Sequence, residues 1–189
     1  MRFPALDQVA LPCTLEEIVP GRRHPDGRRY LPLVLLRLPD PGGDVRRVTM
    51  LGVVDRHHVV DAAQAGRVGV ARLVFLLSTL RIQEEPVRQG LFDEEAPAPG
   101  RPSTAPLACG RVVVVHTWES ERRHLPYEAL YTELLLDVGI GTVGVRTSAT
   151  ATNLAESIGT PTAAPGDWLC ARRSRIDILG FEAGDQVIR

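Results

Sequence analysis

The chain of 189 residues is 44% hydrophobic and 24% charged, a globular composition that excludes a disordered or fibrous protein. Its 22 basic residues are all arginine and are balanced by 23 acidic residues, so the net charge is -1 and the whole chain lacks a strong attractive field for polyanions. The charge is uneven: residues 1–83 carry +4, residues 84–98 carry -4, and residues 99–189 carry -1. The acidic middle therefore masks a mildly basic first part.

The first part of the chain, residues 1–83, predicts a β-rich unit. Apolar and β-branched runs predict strands over residues 30–38, 45–54 and 67–83. Asp61 and Gln64 have the spacing of a capping box, and Gly66 follows as a helix exit, so a short helix is predicted between the second and third runs. A helix over residues 59–80 is the alternative, although Gly66 and Gly69 weaken it.

Residues 84–107 combine a cluster of acidic side chains with five prolines and show no periodicity. Such a composition is typical of a linker or an extended strap. The chain is therefore divided into a first unit at residues 1–83, this acidic and proline-rich segment, and a second unit at residues 108–189. Leu91 and Phe92, inside the segment, are candidates for a fifth strand of the first unit.

The second unit repeats features of the first. The triplet Arg22-Arg23-His24 recurs as Arg122-Arg123-His124. Strands are predicted over residues 111–118, 130–138, 142–148, 168–171 and 174–179, with a helix over residues 153–158 capped by Asn153. Three strands, a short helix and two strands is the order of the five-stranded OB barrel. The predicted fold is all-β with short helices, arranged as two tandem OB-like barrels.

A family resemblance accompanies this order in the second unit. The motifs that carry it are Gly110-Arg-Val112, Thr132-Glu133-Leu, Val145-Arg-Thr147-Ser148, Pro165-Gly166-Asp167 and Arg172-Arg173-Ser174-Arg175-Ile176. With these motifs the segment resembles the small molybdate-binding or TOBE-type domains, which are relatives of the OB barrel. The resemblance implies a barrel fold and an oxyanion site at Ser103, Arg172 and Ser174.

Arginines and tyrosines on the predicted strands indicate the candidate ligand surface. OB-type barrels bind single strands with a groove of cations interleaved with aromatic rings, on which the bases stack. The candidate nucleic-acid-binding residues are Arg23, Arg29, Tyr30, Arg47, Arg122, Tyr131, Arg146, Arg173 and Arg175. We therefore expect a non-enzymatic protein that binds single-stranded nucleic acid. The alternatives are an assembly or adaptor module that binds a protein partner or its own copies, and an oxyanion-binding domain.

Catalytic, metal-binding and membrane roles receive less support. The segment from Asp55 to Asp61 gathers two histidines and two aspartates, but its simpler interpretation is a turn that leads into the capped helix. No phosphate loop or hydrolase motif occurs, so no enzyme, cofactor or metal is expected. The cysteines Cys13, Cys109 and Cys170 lack a disulfide or zinc pattern and are predicted to be reduced. Without a long apolar run, a cytoplasmic location is expected.

Overall fold

The structure is a computed structural model that describes residues 3, 5–96, 100–118, 131–147, 151–160 and 162–187. Within these ranges strand is the dominant regular structure, with eleven strands and one α-helix, which confirms the all-β class. The strands are β1 (Leu11–Val19), β2 (Leu33–Arg37), β3 (Met50–Val54), β4 (Arg67–Leu76), β5 (Thr79–Ile82), β6 (Gly90–Phe92), β7 (Leu107–Trp118), β8 (Tyr131–Asp137), β9 (Thr142–Thr147), β10 (Trp168–Arg172) and β11 (Arg175–Val187). One α-helix, α1 (Ala151–Ile158), and 3-10 helices at Leu6–Gln8 and Ala62–Gln64 complete the described elements.

The strands from both halves of the chain form one mixed sheet. Its order is β3-β2-β1-β4-β9-β8-β7-β10-β5, with β11 paired to β4 and β6 paired to β7. The long strand β4 joins the halves, because it pairs in parallel with β9 and antiparallel with β11. The structure does not show two separate barrels, since backbone hydrogen bonds join strands on either side of residues 84–107.

A continuous core supports the same conclusion. One buried cluster includes Leu15 and Phe75 from the first half together with Leu136 and Ile178 from the second. Burial of apolar surface is the main force that stabilises a fold, so a shared core couples the folding of the two halves. A smaller cluster lies where Phe3, Ala5 and Val9 pack over Val74 and Leu135. The N-terminal segment thereby covers the second face of the sheet at β4 and β8.

The acidic and proline-rich segment is packed against the sheet rather than free. Leu91 and Phe92 are 1% exposed, and β6 pairs antiparallel with the start of β7. Leu91 and Phe92 thus form a strand, but its ladder partner belongs to the second half of the chain. Ser103 also bridges to Leu51 of β3, so the segment contacts strands of both halves.

The first predicted helix cap is confirmed and the second is displaced. The Asp61 carboxylate accepts from the Ala63 N–H, and Gln64 accepts from the Asp61 N–H, which completes a capping box. The alternative helix over residues 59–80 is wrong, because β4 and β5 occupy most of that range. Helix α1 begins at Ala151, two residues before the predicted Asn153 cap. Among the described residues, no helix combines the length and apolar character needed to cross a membrane.

The prediction of three reduced cysteines is wrong for two of them. Cys109 of β7 and Cys170 of β10 are direct cross-strand partners and form a disulfide. They are separated by 61 residues in sequence, so their adjacency arises only from the pairing of the two strands. Cys13 remains a free thiol, and its burial raises the pKa to about 12.

Candidate nucleic-acid interface

An ordered β-hairpin extends beyond the paired ends of β1 and β2. We call residues 21–31 the arginine hairpin. Its two arms are held by backbone hydrogen bonds from the Tyr30 N–H to the Arg22 carbonyl at 2.9 Å and from the His24 N–H to the Arg28 carbonyl at 2.7 Å. Such a ladder gives the side chains along the ribbon fixed positions relative to one another.

Two glycines and an aspartate fix the shape of the arginine hairpin. Gly27 adopts a φ of 87°, in the left-handed region that favours glycine. A Cβ at Gly21 would lie 1.8 Å from the Tyr30 carbonyl oxygen, so only glycine allows the arms to approach this closely. The Asp26 carboxylate accepts from the Arg28 N–H at 3.0 Å and closes the turn.

The arginine hairpin carries concentrated positive charge. Its exposed arginines are Arg22, Arg23, Arg28 and Arg29. Within the described part of the chain, none of their guanidinium groups has an ion pair or a hydrogen bond. The single acid, Asp26, lies 2.9 Å from the ring nitrogen Nδ1 of His24. Four arginines and one aspartate give residues 21–31 a formal charge of +3 in a chain whose net charge is -1.

An aromatic ring stands among these cations. Tyr30 is 59% exposed, and the neighbouring Leu31 is 39% exposed. The Tyr30 ring meets the His24 ring edge to face, with centroids 5.6 Å apart, which orients it without burying it. An exposed ring flanked by unpaired guanidinium groups is the combination on which unstacked bases and their phosphates bind.

The loop that follows β3 adjoins the base of the arginine hairpin. Leu33 at the start of β2 pairs with Val54 at the end of β3, and the Asp55 N–H donates to the Pro32 carbonyl at 3.0 Å. Residues 56–58 of this loop, which are exposed, therefore lie at the same end of the sheet as the hairpin.

Asp55 organises this loop and is not available for chemistry. Its carboxylate is 2% exposed and accepts from the N–H groups of His57, Val59 and Val60 at 3.1–3.2 Å. Asp61 is engaged as the helix cap described above. The structure thus does not bring Asp55, His57 and Asp61 together as one catalytic group. No set of three or more histidine, cysteine or acidic side chains is placed to hold a metal in the described ranges.

A buried carboxylate gathers two arginines and a histidine beside the same loop. Asp177 of β11 is 1% exposed, accepts from the Arg175 Nε at 3.1 Å and forms an ion pair with the Arg56 Nε at 3.3 Å. The Nε2 of His57 lies 3.1 Å from its other oxygen. Asp177 therefore positions Arg175, one of the predicted binding residues. The ion pair between them offsets part of the positive charge of Arg175.

Two further predicted residues serve the packing of the fold. The Arg47 guanidinium lies 5.0 Å from the centroid of the Phe92 ring and donates to the Gln89 carbonyl at 3.2 Å. Arg146 of β9 forms an ion pair with Glu133 of β8, whose side chain is fully buried. Burial raises the pKa of Glu133, and the Arg146 guanidinium opposes that rise. Both arginines are partly buried, and their guanidinium groups already have protein partners.

The remaining predicted residues are not gathered with the arginine hairpin. Arg173 is exposed at the turn between β10 and β11. Arg122 lies outside the described residues, as does the side chain of Tyr131 at the start of β8. The structure therefore brings three of the nine predicted residues, Arg23, Arg29 and Tyr30, into one cluster. It adds Arg22 and Arg28, which the prediction left out although each is adjacent in sequence to a predicted arginine.

The three residues of the predicted oxyanion site have separate partners. The Ser103 hydroxyl donates to Asp93 at 2.5 Å, and the hydroxyls of Ser174 and Ser78 are hydrogen-bonded at 2.6 Å. Arg172 pairs with Glu94. The local contacts of these groups lend no support to a common oxyanion site.

Comparison of the chain with protein-family models, curated proteins and solved structures finds no match. Its function therefore has to be inferred from the surface itself. The arginine hairpin is the part of the described surface where unpaired cations and an exposed aromatic ring coincide.

Proposed function

We propose that the chain binds single-stranded nucleic acid through the arginine hairpin. The observation that carries this proposal is the exposed ring of Tyr30 among four guanidinium groups without partners in the described residues. Guanidinium groups contact phosphates through two parallel N–H donors, and the ring offers a stacking surface for a base. The arginine hairpin would therefore gain affinity from phosphate contacts and from base stacking together.

The exposed ring favours a single strand over a duplex. In a duplex the faces of the bases are covered by neighbouring bases. A tyrosine therefore gains a stacking contact only after two neighbouring base pairs have been unstacked. In a single strand the bases are available without that cost, and stacking does not depend on base identity. Recognition by Tyr30 and the flanking arginines would therefore tolerate many sequences.

The net charge of -1 does not oppose this proposal. The excess of acidic residues lies in residues 84–98, and part of it is neutralised locally, since Glu94 pairs with Arg172 at 2.5 Å. Charges further apart than the Debye length, about 8 Å at physiological salt, are largely screened in water. A phosphate at the arginine hairpin would therefore respond mainly to the local charge of +3.

Replacement of Tyr30 tests the stacking contact. We expect Tyr30→Ala to weaken the binding of a fluorescently labelled oligothymidine by about 1–3 kcal/mol, roughly 5- to 150-fold, because one base loses its platform. Fluorescence anisotropy titration at low salt measures the change. Tyr30→Phe is the matched control and should keep the wild-type affinity, since the ring remains. Equal affinity of Tyr30→Ala and the wild type, or tighter binding of a duplex of the same length, would contradict the proposal.

A further inference from the structure

A second basic feature of the molecule is a surface cavity of about 450 Å³. It lies beside β5 and β10. Its charged lining consists of Arg46, Arg81, Arg88, Arg172, Glu84 and Glu94. Four arginines against two glutamates leave a formal charge of +2 along the lining of this cavity, which is open to solvent. The cavity is thus built to attract an anion rather than an apolar ligand.

Several donors in this cavity lack a partner. Within the described residues, neither Arg81 nor Arg88 forms an ion pair, although Arg88 lies close enough to Asp44 for the two charges to interact. Arg172 pairs with Glu94 through Nη2 at 2.5 Å, but its Nε is buried and has no hydrogen-bond partner. In the part of the chain that the structure describes, the exposed guanidinium of Arg81 is therefore free to donate to a ligand oxygen.

One guanidinium is also held in place by an aromatic ring. The Arg88 guanidinium lies 4.8 Å from the centroid of the Phe92 ring, and Phe92 itself is buried. A cation on a ring face loses rotational freedom before any ligand arrives. Preorganisation of this kind lowers the entropy cost of binding.

We propose that this cavity is a binding site for a small organic phosphate of the sugar-phosphate class. A phosphate monoester carries up to two negative charges, which an arginine-rich lining attracts, and its oxygens fit the planar forks of arginine. The volume lies in the usual range for small-molecule sites and is larger than a bare phosphate ion requires. Ile82, Pro86 and Leu107 line the cavity as well and supply uncharged contacts for the carbon part of the ligand.

This site is distinct from the arginine hairpin. The hairpin precedes β2, whereas Arg46 belongs to the loop that follows β2, so the two features contain residues from opposite ends of that strand. The cavity proposal therefore does not rest on nucleic-acid binding. Either proposal can fail without the other.

Isothermal titration calorimetry with ribose 5-phosphate tests the cavity. The wild-type chain should bind it saturably at a ratio of one to one. Inorganic phosphate should bind at least tenfold more weakly, because it leaves the uncharged wall uncontacted, and ribose should not bind, because it lacks the charge. Absence of saturable binding of ribose 5-phosphate, or equal binding of ribose, would overturn the proposal.

Two matched charge reversals locate the bound phosphate. Arg81→Glu changes an exposed residue on β5 and should weaken ribose 5-phosphate binding at least tenfold without disturbing the fold. Arg28→Glu makes the same charge change on the arginine hairpin and should leave this binding unchanged. If Arg81→Glu binds as tightly as the wild type, or if Arg28→Glu alone abolishes binding, the cavity is not the site.

Discussion

Replacement of Arg22, Arg23, Arg28 and Arg29 by alanine should remove most of the affinity for a single-stranded oligonucleotide. Each guanidinium that neutralises a phosphate of a single strand adds about 0.7 to the slope of log affinity against log salt, so four add about 2.8. With that slope, we expect the wild-type affinity to fall about 50-fold between 50 and 200 mM salt. The alanine variant should bind at least about 50-fold more weakly at 50 mM salt and lose this salt dependence.

The corresponding lysine variant is the matched control. Four lysines keep the charge of the arginine hairpin but not the planar fork, so the salt dependence should remain while the affinity falls modestly. Both variants should fold normally, since the four guanidinium groups are exposed and make no ion pair within the described residues. An alanine variant with wild-type affinity at both salt concentrations would contradict the proposed interface. Anisotropy titrations and thermal unfolding curves provide the two readouts.

The Arg146→Ala substitution should have the largest effect on stability among the changes considered. It leaves the Glu133 carboxylate buried and without its arginine, because Glu133 is 0% exposed and pairs with Arg146. Removing one partner of a buried ion pair costs about 3–5 kcal/mol of the free energy of unfolding. That is a large part of the total stability of a typical domain, about 5–15 kcal/mol. Urea unfolding at neutral pH measures the loss.

Two further variants separate this effect from the general loss of an arginine. Arg175→Ala should cost about 1 kcal/mol or less, since Asp177 keeps Arg56 and His57 as partners. The double variant Glu133→Leu with Arg146→Met should regain most of the stability lost in Arg146→Ala, because no buried charge remains. A double variant as unstable as Arg146→Ala would show that the ion pair is not the cause.

The stability deficit of Arg146→Ala should depend on pH in a defined direction. Burial raises the pKa of Glu133 above its ordinary value of 4.5, and Arg146 opposes this rise. Without Arg146 the folded-state pKa rises further, so the folded variant binds the proton more tightly than the unfolded chain does. The difference in the free energy of unfolding between the wild type and Arg146→Ala should be smallest below pH 4.5. It should grow as the pH rises through the raised folded-state pKa of Glu133. Equal deficits at acidic and neutral pH would contradict this assignment.

Local features of the fold were predictable from the sequence, whereas long-range pairings were not. The strand propensity of β8 and the capping box at Asp61 depend on neighbours within a few residues, so their signals lie in short segments. The parallel pairing of β4 with β9 and the disulfide between Cys109 and Cys170 join segments far apart in sequence. The burial of Glu133 of β8 was not predictable from the sequence for a related reason. Arg146, which pairs with it, lies on another strand, and Glu133 by itself suggests a solvated face.

The candidate site was predicted in part. One arginine of each pair, Arg23 and Arg29, was chosen on the assumption of a strand, where adjacent side chains point to opposite faces. Tyr30 was chosen as a stacking ring near the start of the predicted second strand. At an exposed hairpin that projects beyond the sheet, both faces meet solvent, so Arg22 and Arg28 contribute as well. Arg47, Arg146 and Arg175 were predicted on charge alone. Their partners Phe92, Glu133 and Asp177 are brought to them only by tertiary structure.

Photochemical cross-linking identifies which residues of the chain touch a bound single strand. A single-stranded oligonucleotide that contains 5-iodouracil is bound to the wild-type chain, irradiated, and the adduct is digested with trypsin and mapped by mass spectrometry. We expect the main adduct on Tyr30, in the tryptic peptide that ends at Arg37, and we expect this adduct to disappear at high salt. Adducts confined to peptides outside residues 21–37, or no adduct at low salt, would contradict it.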